Sequence, residues 1–204
     1  EERARSFANV LVIREPRKGL PRARQTGLEH STGDLIANLD ADVLLPSTWL
    51  PFVFSTFEKN PKLVALSGPF IYYDLSAYAR FLVRIFYGAG YIAYFIHRFI
   101  LNNGSMLQGG NFIARRDALE KIGGFDTAIT FYGEDTDIAR RLHAIGPVKW
   151  TFGLPMYASG RRLAAEGIVQ TGFRYAVNYF WTTHAKKPFT DSHKDIRTET
   201  QNRL

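Results

Sequence analysis

The apolar positions of this chain fall into short runs separated by segments with helical spacing. Residues 9–13 (NVLVI) and Leu35–Leu39 (LIANL) are apolar runs bounded by polar or turn-forming residues, and each predicts a buried strand. Between them, Pro21 suits the first turn of a helix running to about His30 and closed by Ser31, Thr32 and Gly33. Ser47 caps a second predicted helix, in which Leu50, Val53, Phe54 and Phe57 have i, i+3, i+4, i+7 spacing. Residues 63–67 return as a strand. The order β-α-β-α-β predicts an α/β fold with a mostly parallel sheet flanked by helices.

The second half changes character. Residues 77–101 are rich in aromatics, with about a dozen uncharged positions between Arg84 and His97, where a membrane span needs roughly 20. Arg84, His97 and Arg98 argue against a span. The favoured reading is a helix packed on the domain, and the alternative is a helix lying in a membrane interface. Residues 107–114 carry Gly109-Gly110-Asn111 and then an apolar run; Asp117 and Glu120 form a capping box for a short helix ending at Gly123-Gly124. A helix from Glu134 to about Ile145 has acids in its first turn, Arg140, Arg141 and His143 in its last, and Ile138, Leu142 and Ile145 on its buried face. Residues 148–152 predict an edge strand. The segment beyond Ser159 is basic, then aromatic, then polar, with a loose tail.

With 204 residues, 46% hydrophobic and 22% charged, the chain is long and apolar enough for a folded α/β domain. It has no cysteine, which excludes disulfides and thiolate metal sites and is compatible with a reducing compartment. A formal net charge of +7 favours an anionic partner such as a nucleotide diphosphate, a lipid phosphate or an acidic membrane surface. Nothing in the sequence matches a nucleic-acid-binding motif, and no nucleic acid partner is expected.

Chemistry gathers at two acidic pairs. Asp40 and Asp42 close the Leu35–Leu39 run, at the strand end where open α/β sheets bind ligands, and carboxylates so spaced can share a hard divalent cation that holds a diphosphate. Glu134 and Asp135 open a helix; acids favour that position without any function, but one of them can also serve as a general base. Gly109-Gly110-Asn111 either lets backbone approach a ligand closely or forms a bulge or turn. His184 and His193 are candidate third metal ligands.

Residues 19–50, 108–126 and 133–146, taken in order, resemble family 2 glycosyltransferases of the Rossmann-like GT-A fold. The resemblance implies inverting transfer of a sugar from a nucleotide-sugar donor to a glycan hydroxyl or a polyprenyl phosphate. It makes Asp42 and Asp40 the ligands of Mg²⁺ or Mn²⁺, with Asp40, Arg24 and Arg161 on the nucleotide diphosphate. It makes Asp135 the catalytic base, with Glu134, Gly109, Gly110 and Asn111 shaping the donor and acceptor pocket. Arg24 lies in A-R-Q, where members carry A-R-N, and Ser159 with Arg161 and Arg162 resembles a basic element that faces the diphosphate. The Q-x-x-R-W motif of processive members is absent. The family's first strands, which hold base and ribose, have no counterpart here; roughly 60–80 residues of the family domain are unmatched, and residues 1–160 are expected to be a partial domain followed by an extension over 161–204. The expected location is the cytoplasm, including the inner face of the plasma membrane. Two alternatives stand beside this one. One is a fragment binding membranes or partners through its basic, aromatic surface. The other is a phosphatase of the haloacid dehalogenase type, with Asp40 as nucleophile and Asp42 as acid/base.

Overall fold

A computed structural model describes residues 2–102, 104–129, 132–185 and 189. Its elements run α1 (Glu2–Arg5), α2 (Leu20–His30), β1 (Leu35–Leu39), β2 (Val43–Leu44), α3 (Trp49–Lys59), β3 (Ala65–Ser67), β4 (Phe70–Tyr72) and α4 (Ala77–Phe95). A π-helical turn, Ile96–Ile100, extends α4. Then come β5 (Asn111–Arg115), α5 (Arg116–Lys121), α6 (Glu134–His143), β6 (Val148–Trp150), β7 (Met156–Ala158), α7 (Arg161–Glu166) and α8 (Ile168–Ala185).

The main sheet has the order β1-β5-β3-β6. β1, β3 and β6 point the same way, as the βαβ pattern predicts, and β5 runs against them between β1 and β3. A smaller sheet, β2-β7-β4, lies beside it. β5 is buried on both faces, so its side chains divide the core. Phe112 and Ala114 join Leu28, Leu119, Ile138 and Leu142 under α2, α5 and α6. Ile113 joins Trp49, Val53, Phe57, Leu66 and Met156 under α3. Two apolar layers thus sandwich one sheet.

Several expectations need correction. Residues 9–13 form no strand; Val10 and Leu11 are exposed, and no described strand pairs with them, the outer edge of β1 included. As an edge strand, β1 alternates between buried and exposed positions instead of being buried throughout. α3 begins after Thr48 with no side-chain cap, and its inner face is Trp49, Val53, Thr56 and Phe57, leaving Leu50 and Phe54 in solvent. The capping box at Asp117 does not form. β5 runs directly into α5, so Asp117 already lies inside the helix and accepts the Ala118 N–H at 2.8 Å, while Glu120 pairs with Arg116. Residues 161–185 are helices packed on the body: α8 lies against α4 and α6, and Arg174 reaches the Tyr132 hydroxyl at 3.0 Å. The expected loose tail lies outside the described residues.

α4 is only partly a packed helix. One side rests on β6 through Tyr87 and Tyr91, whose rings each lie 5.9 Å from Trp150. Among the described residues its opposite side is uncovered.

Candidate active site

The site forms where the C-terminal end of β1 meets the N-terminal ends of β5 and α6. β1 stops at Leu39, which pairs with Asn111, and the Asp40 N–H donates to the Gly110 carbonyl at 3.4 Å. Asp40 is therefore held against the Gly109-Gly110 segment. A methyl group on Gly110 would collide with the Asp40 carboxylate, and one on Gly109 would press on the Glu134 carboxylate and the Arg24 guanidinium. Glycine is needed at both positions for acids from distant parts of the chain to close on this backbone.

The second acidic pair arrives on α6. Gly133 takes a left-handed conformation, φ 80°, and turns the chain into the helix; Glu134, Asp135 and Asp137 then occupy the first turn, where the helix dipole favours negative charge. Arg24, from α2, lies between the two pairs. Its guanidinium forms a tight ion pair with Glu134, comes 3.5 Å from Asp40, and lies 5.9 Å from the centre of the Phe112 ring. Arg24 and Glu134 are both buried, which makes the pairing electrostatically strong and the loss of either partner costly. The other Glu134 oxygen, Oε2, is buried without a hydrogen-bond partner among the described residues.

All three inner acids are held above their ordinary pKa. Burial pushes Glu134 up to about 7, with Arg24 opposing and Asp135 adding repulsion. Burial also raises Asp135, opposed by Arg24 and by the backbone N–H groups of Thr136 and Gly109. Asp40 is raised by burial, with Arg24 opposing and Asp42 repelling it. Asp42 is 57% exposed and meets Arg161 at 3.3 Å on the rim. Ser159 donates to Asp74 at 2.6 Å and the Gly160 N–H donates to its other oxygen at 2.5 Å, which fixes the turn into α7 that carries Arg161 and Arg162.

Of the residues singled out in the sequence, Asp40, Arg24, Glu134, Gly109 and Gly110 form one contact group. Asp42 and Arg161 pair at its mouth, and Asp135 joins through Gly109 and Thr136. Asn111 is different. It is fully buried and spends its amide on Trp49 Nε1–H at 3.0 Å and the Gly68 and Leu154 carbonyls at 3.1 and 2.9 Å. It braces the floor from beneath and does not line the pocket. Gln25 accepts the Phe125 N–H at 2.9 Å and ties α2 to the loop after α5. His184 packs against His97 and Phe180 between α8 and α4, and among the described residues no group of three acids or histidines converges for a metal. His193 lies outside the described residues. Asp74 went unnoticed in the sequence because nothing local distinguishes a lone acid after a short strand. The buried phenols Tyr72 and Tyr87 were missed too; Tyr87 donates to Gln108 at 3.2 Å, next to the glycines.

The chain is 28% identical over 121 residues to the glucosyl-dolichyl phosphate glucuronosyltransferase of Haloferax volcanii, covering 58% of this chain and 38% of that one. It is 38% identical over 58 residues to a probable N-acetylgalactosaminyltransferase 7 of Caenorhabditis elegans, covering 28% and 10%. The chain thus spans well under half the length of these relatives. The fold matches the mannosyltransferase PcManGT of Pyrobaculum calidifontis, solved with GDP-Man and Mn²⁺, at TM-score 0.57 and 20% identity over 83% of this chain and 44% of that one. A mycobacterial protein matches at TM-score 0.52 and 15% identity, over 90% and 56%. The architecture is the GT-A type. The sequence profile of glycosyl transferase family 2 matches residues 1–123. That match runs through Asp40 and Asp42, which leaves the phosphatase alternative without support; the chain belongs to glycosyl transferase family 2.

Proposed function

We propose that this chain carries out sugar transfer from a nucleoside-diphosphate sugar to an acceptor, with inversion at the anomeric carbon. The observation that carries the reading is the convergence of Asp40 with Glu134 and Asp135 across the Gly109-Gly110 backbone, with Arg24 between them. An acid pair at the rim and a second, more buried pair inside suit two separate tasks. Asp42 and Asp40 offer hard oxygen ligands, and their mutual repulsion is the kind a divalent cation relieves, so the donor set fits Mg²⁺ or Mn²⁺. Such an ion, when bound, supplies charge neutralisation at the leaving diphosphate. Arg161, already at the rim beside Asp42, adds a cation from the protein.

Asp135, lifted toward neutral pH by burial, takes the proton from an acceptor hydroxyl. The freed oxygen bonds to the anomeric carbon as the bond to the diphosphate oxygen breaks on the opposite face. Glu134, held by Arg24, fixes the acceptor side, and its unpartnered oxygen is available to a second acceptor hydroxyl. The Haloferax relative is named for a glucosyl-dolichyl phosphate, which supports a lipid-linked acceptor and, with it, work at a membrane surface.

Calorimetric titration of the chain with UDP and with GDP, each with and without Mn²⁺, tests the nucleotide site. The expected result is metal-dependent binding that Asp42→Ala removes. A folded chain that binds neither nucleotide in Mn²⁺ would count against the reading. In a turnover assay with a nucleotide sugar, Asp135→Asn should lower the rate about a thousandfold while leaving donor affinity within about twofold. Unchanged turnover would remove Asp135 from the role of base.

A further inference from the structure

Helices α4 and α8 do not follow the usual division into a buried apolar side and a wet polar side. On α4 and its π turn, Ala79, Val83, Tyr94 and His97 face the body. At 100° per residue, Tyr78, Phe81, Ile85, Ile92, Phe95 and Phe99 fall on the opposite side, and all are exposed. Only 11% of the most apolar window of Ala77–Ile100 is buried. α8 is turned inside out. Its inner positions are Thr171, Asn178 and Thr182, and the Thr171 and Thr182 hydroxyls are buried without partners among the described residues. Its outer positions are Val169, Phe173 and Phe180, at i, i+4 and i+11, with Phe173 69% exposed. The two helices lie side by side, with the His97 ring 5.6 Å from Tyr179 and Gly172 against the Phe86 ring.

Charge identifies the occupant of this face. Neither 77–101 nor 168–185 contains a single acid. The charged residues of α4 and its π turn are Arg80, Arg84 and Arg98, and by spacing they fall together on one flank, between the packed side and the exposed stripe. An apolar stripe edged by arginines is the pattern of a helix lying in the headgroup layer of an anionic bilayer. A soluble partner of ordinary surface would bring acids to meet these arginines but would not account for two aromatic stripes. Ala77–Ile100 is long and apolar enough to cross a membrane, but Tyr87 and Tyr91 hold the middle of the helix to β6 and His97 holds its end to α8, which favours a helix lying flat over one that spans.

We infer that the outer face of α4, flanked by α8, is a membrane-seating surface that lies flat on anionic lipid. The inference deepens the functional reading above, since it names the surface that brings a lipid-linked acceptor to the site. The connection is short. The Tyr87 hydroxyl ties α4 to Gln108, one residue before the Gly109-Gly110 floor, and Asp74, just before α4, anchors the turn that presents Arg161.

The test is co-sedimentation of the full chain with vesicles of phosphatidylcholine alone and of phosphatidylcholine mixed with phosphatidylglycerol, at low and high salt. Partitioning onto the anionic vesicles should exceed that onto the neutral ones by about tenfold or more and should fall with salt. The double variant Phe81→Ser/Ile92→Ser should lose binding to both lipids while keeping its unfolding midpoint, because both side chains are already in water. Arg80→Gln/Arg84→Gln should lose only the preference for anionic lipid. A folded chain that binds neither vesicle, or a serine variant that binds undiminished, overturns the proposal. So does light scattering that shows a dimer which the serine variant dissociates, since a second copy would then cover the face. The UDP and GDP titration on the same preparation separates the two readings: nucleotide binding without vesicle binding removes the membrane seat alone.

Discussion

Helices α6 and α8 pack against each other yet use opposite rules. α6 buries Ile138, Ala139 and Leu142 and sends Arg140 and Arg141 to its rim, where both pair with Asp137. α8 buries threonines and an asparagine and sends aromatics outward. The difference shows what each helix was selected to meet. The apolar side of α6 is answered by the core of this chain. The apolar sides of α8 and α4 have no answer among the described residues, which is what the proposed membrane seat would supply.

The sharpest way to break this comparison is to damage the answered side. Leu142→Ala removes a fully buried side chain from the α6 layer and should cost about 3 kcal/mol, within the usual range of about 2–5, read by denaturant unfolding. A loss under about 1 kcal/mol would mean that α6 is not the core helix described. The next effect concerns the charged start of the same helix. Burial lifts Glu134 to about 7 from 4.5, so the folded chain holds a proton that the unfolded chain releases. Its contribution to stability is full below about pH 4.5 and is lost as pH rises through about 7, on the order of 3 kcal/mol in all. Glu134→Gln should therefore flatten the fall in stability between those pH values, measured by unfolding across the window. The smallest effect belongs to the unanswered side. Phe81→Ser/Ile92→Ser should change stability in solution by less than about 0.5 kcal/mol. A large loss would place those side chains in a core.

These contrasts also explain what was legible in the sequence. α6 could be read almost to the residue, because its dipole charges and its helical period agree. β1 was exact in its bounds because Asp34 and Asp40 flank a five-residue run in which only Asn38 is polar. β2, β4 and β7, at two or three residues each, are too short to carry a period, and they exist through their pairing with one another. Residues 9–13 carried the strand pattern but lack a neighbouring strand, since a strand is defined by its ladder as much as by its side chains. In α3, periodicity named Val53 and Phe57 correctly but could not tell that Trp49 would displace Leu50 from the inner face. The acids of the site were visible as residue types at element ends. What joins them was not: Arg24 meets Glu134 across 110 positions, and Asn111 reads as a pocket residue until its three partners are seen.

The reversed direction of β5 has a consequence for how such a domain can diversify. In a wholly parallel sheet, the ligand end is furnished by loops that leave the strands. Here β5 delivers the loop that enters it, so the excursion from the end of β4 to Gly110 departs from the ligand end and comes back to it. That excursion contains α4. Lengthening it, shortening it or recomposing it would alter the outer surface and the floor beneath the acids together, while every rung of the main ladder stayed in register. The segment thereby couples the outer surface to the floor of the site, so that a change in one is a change in both.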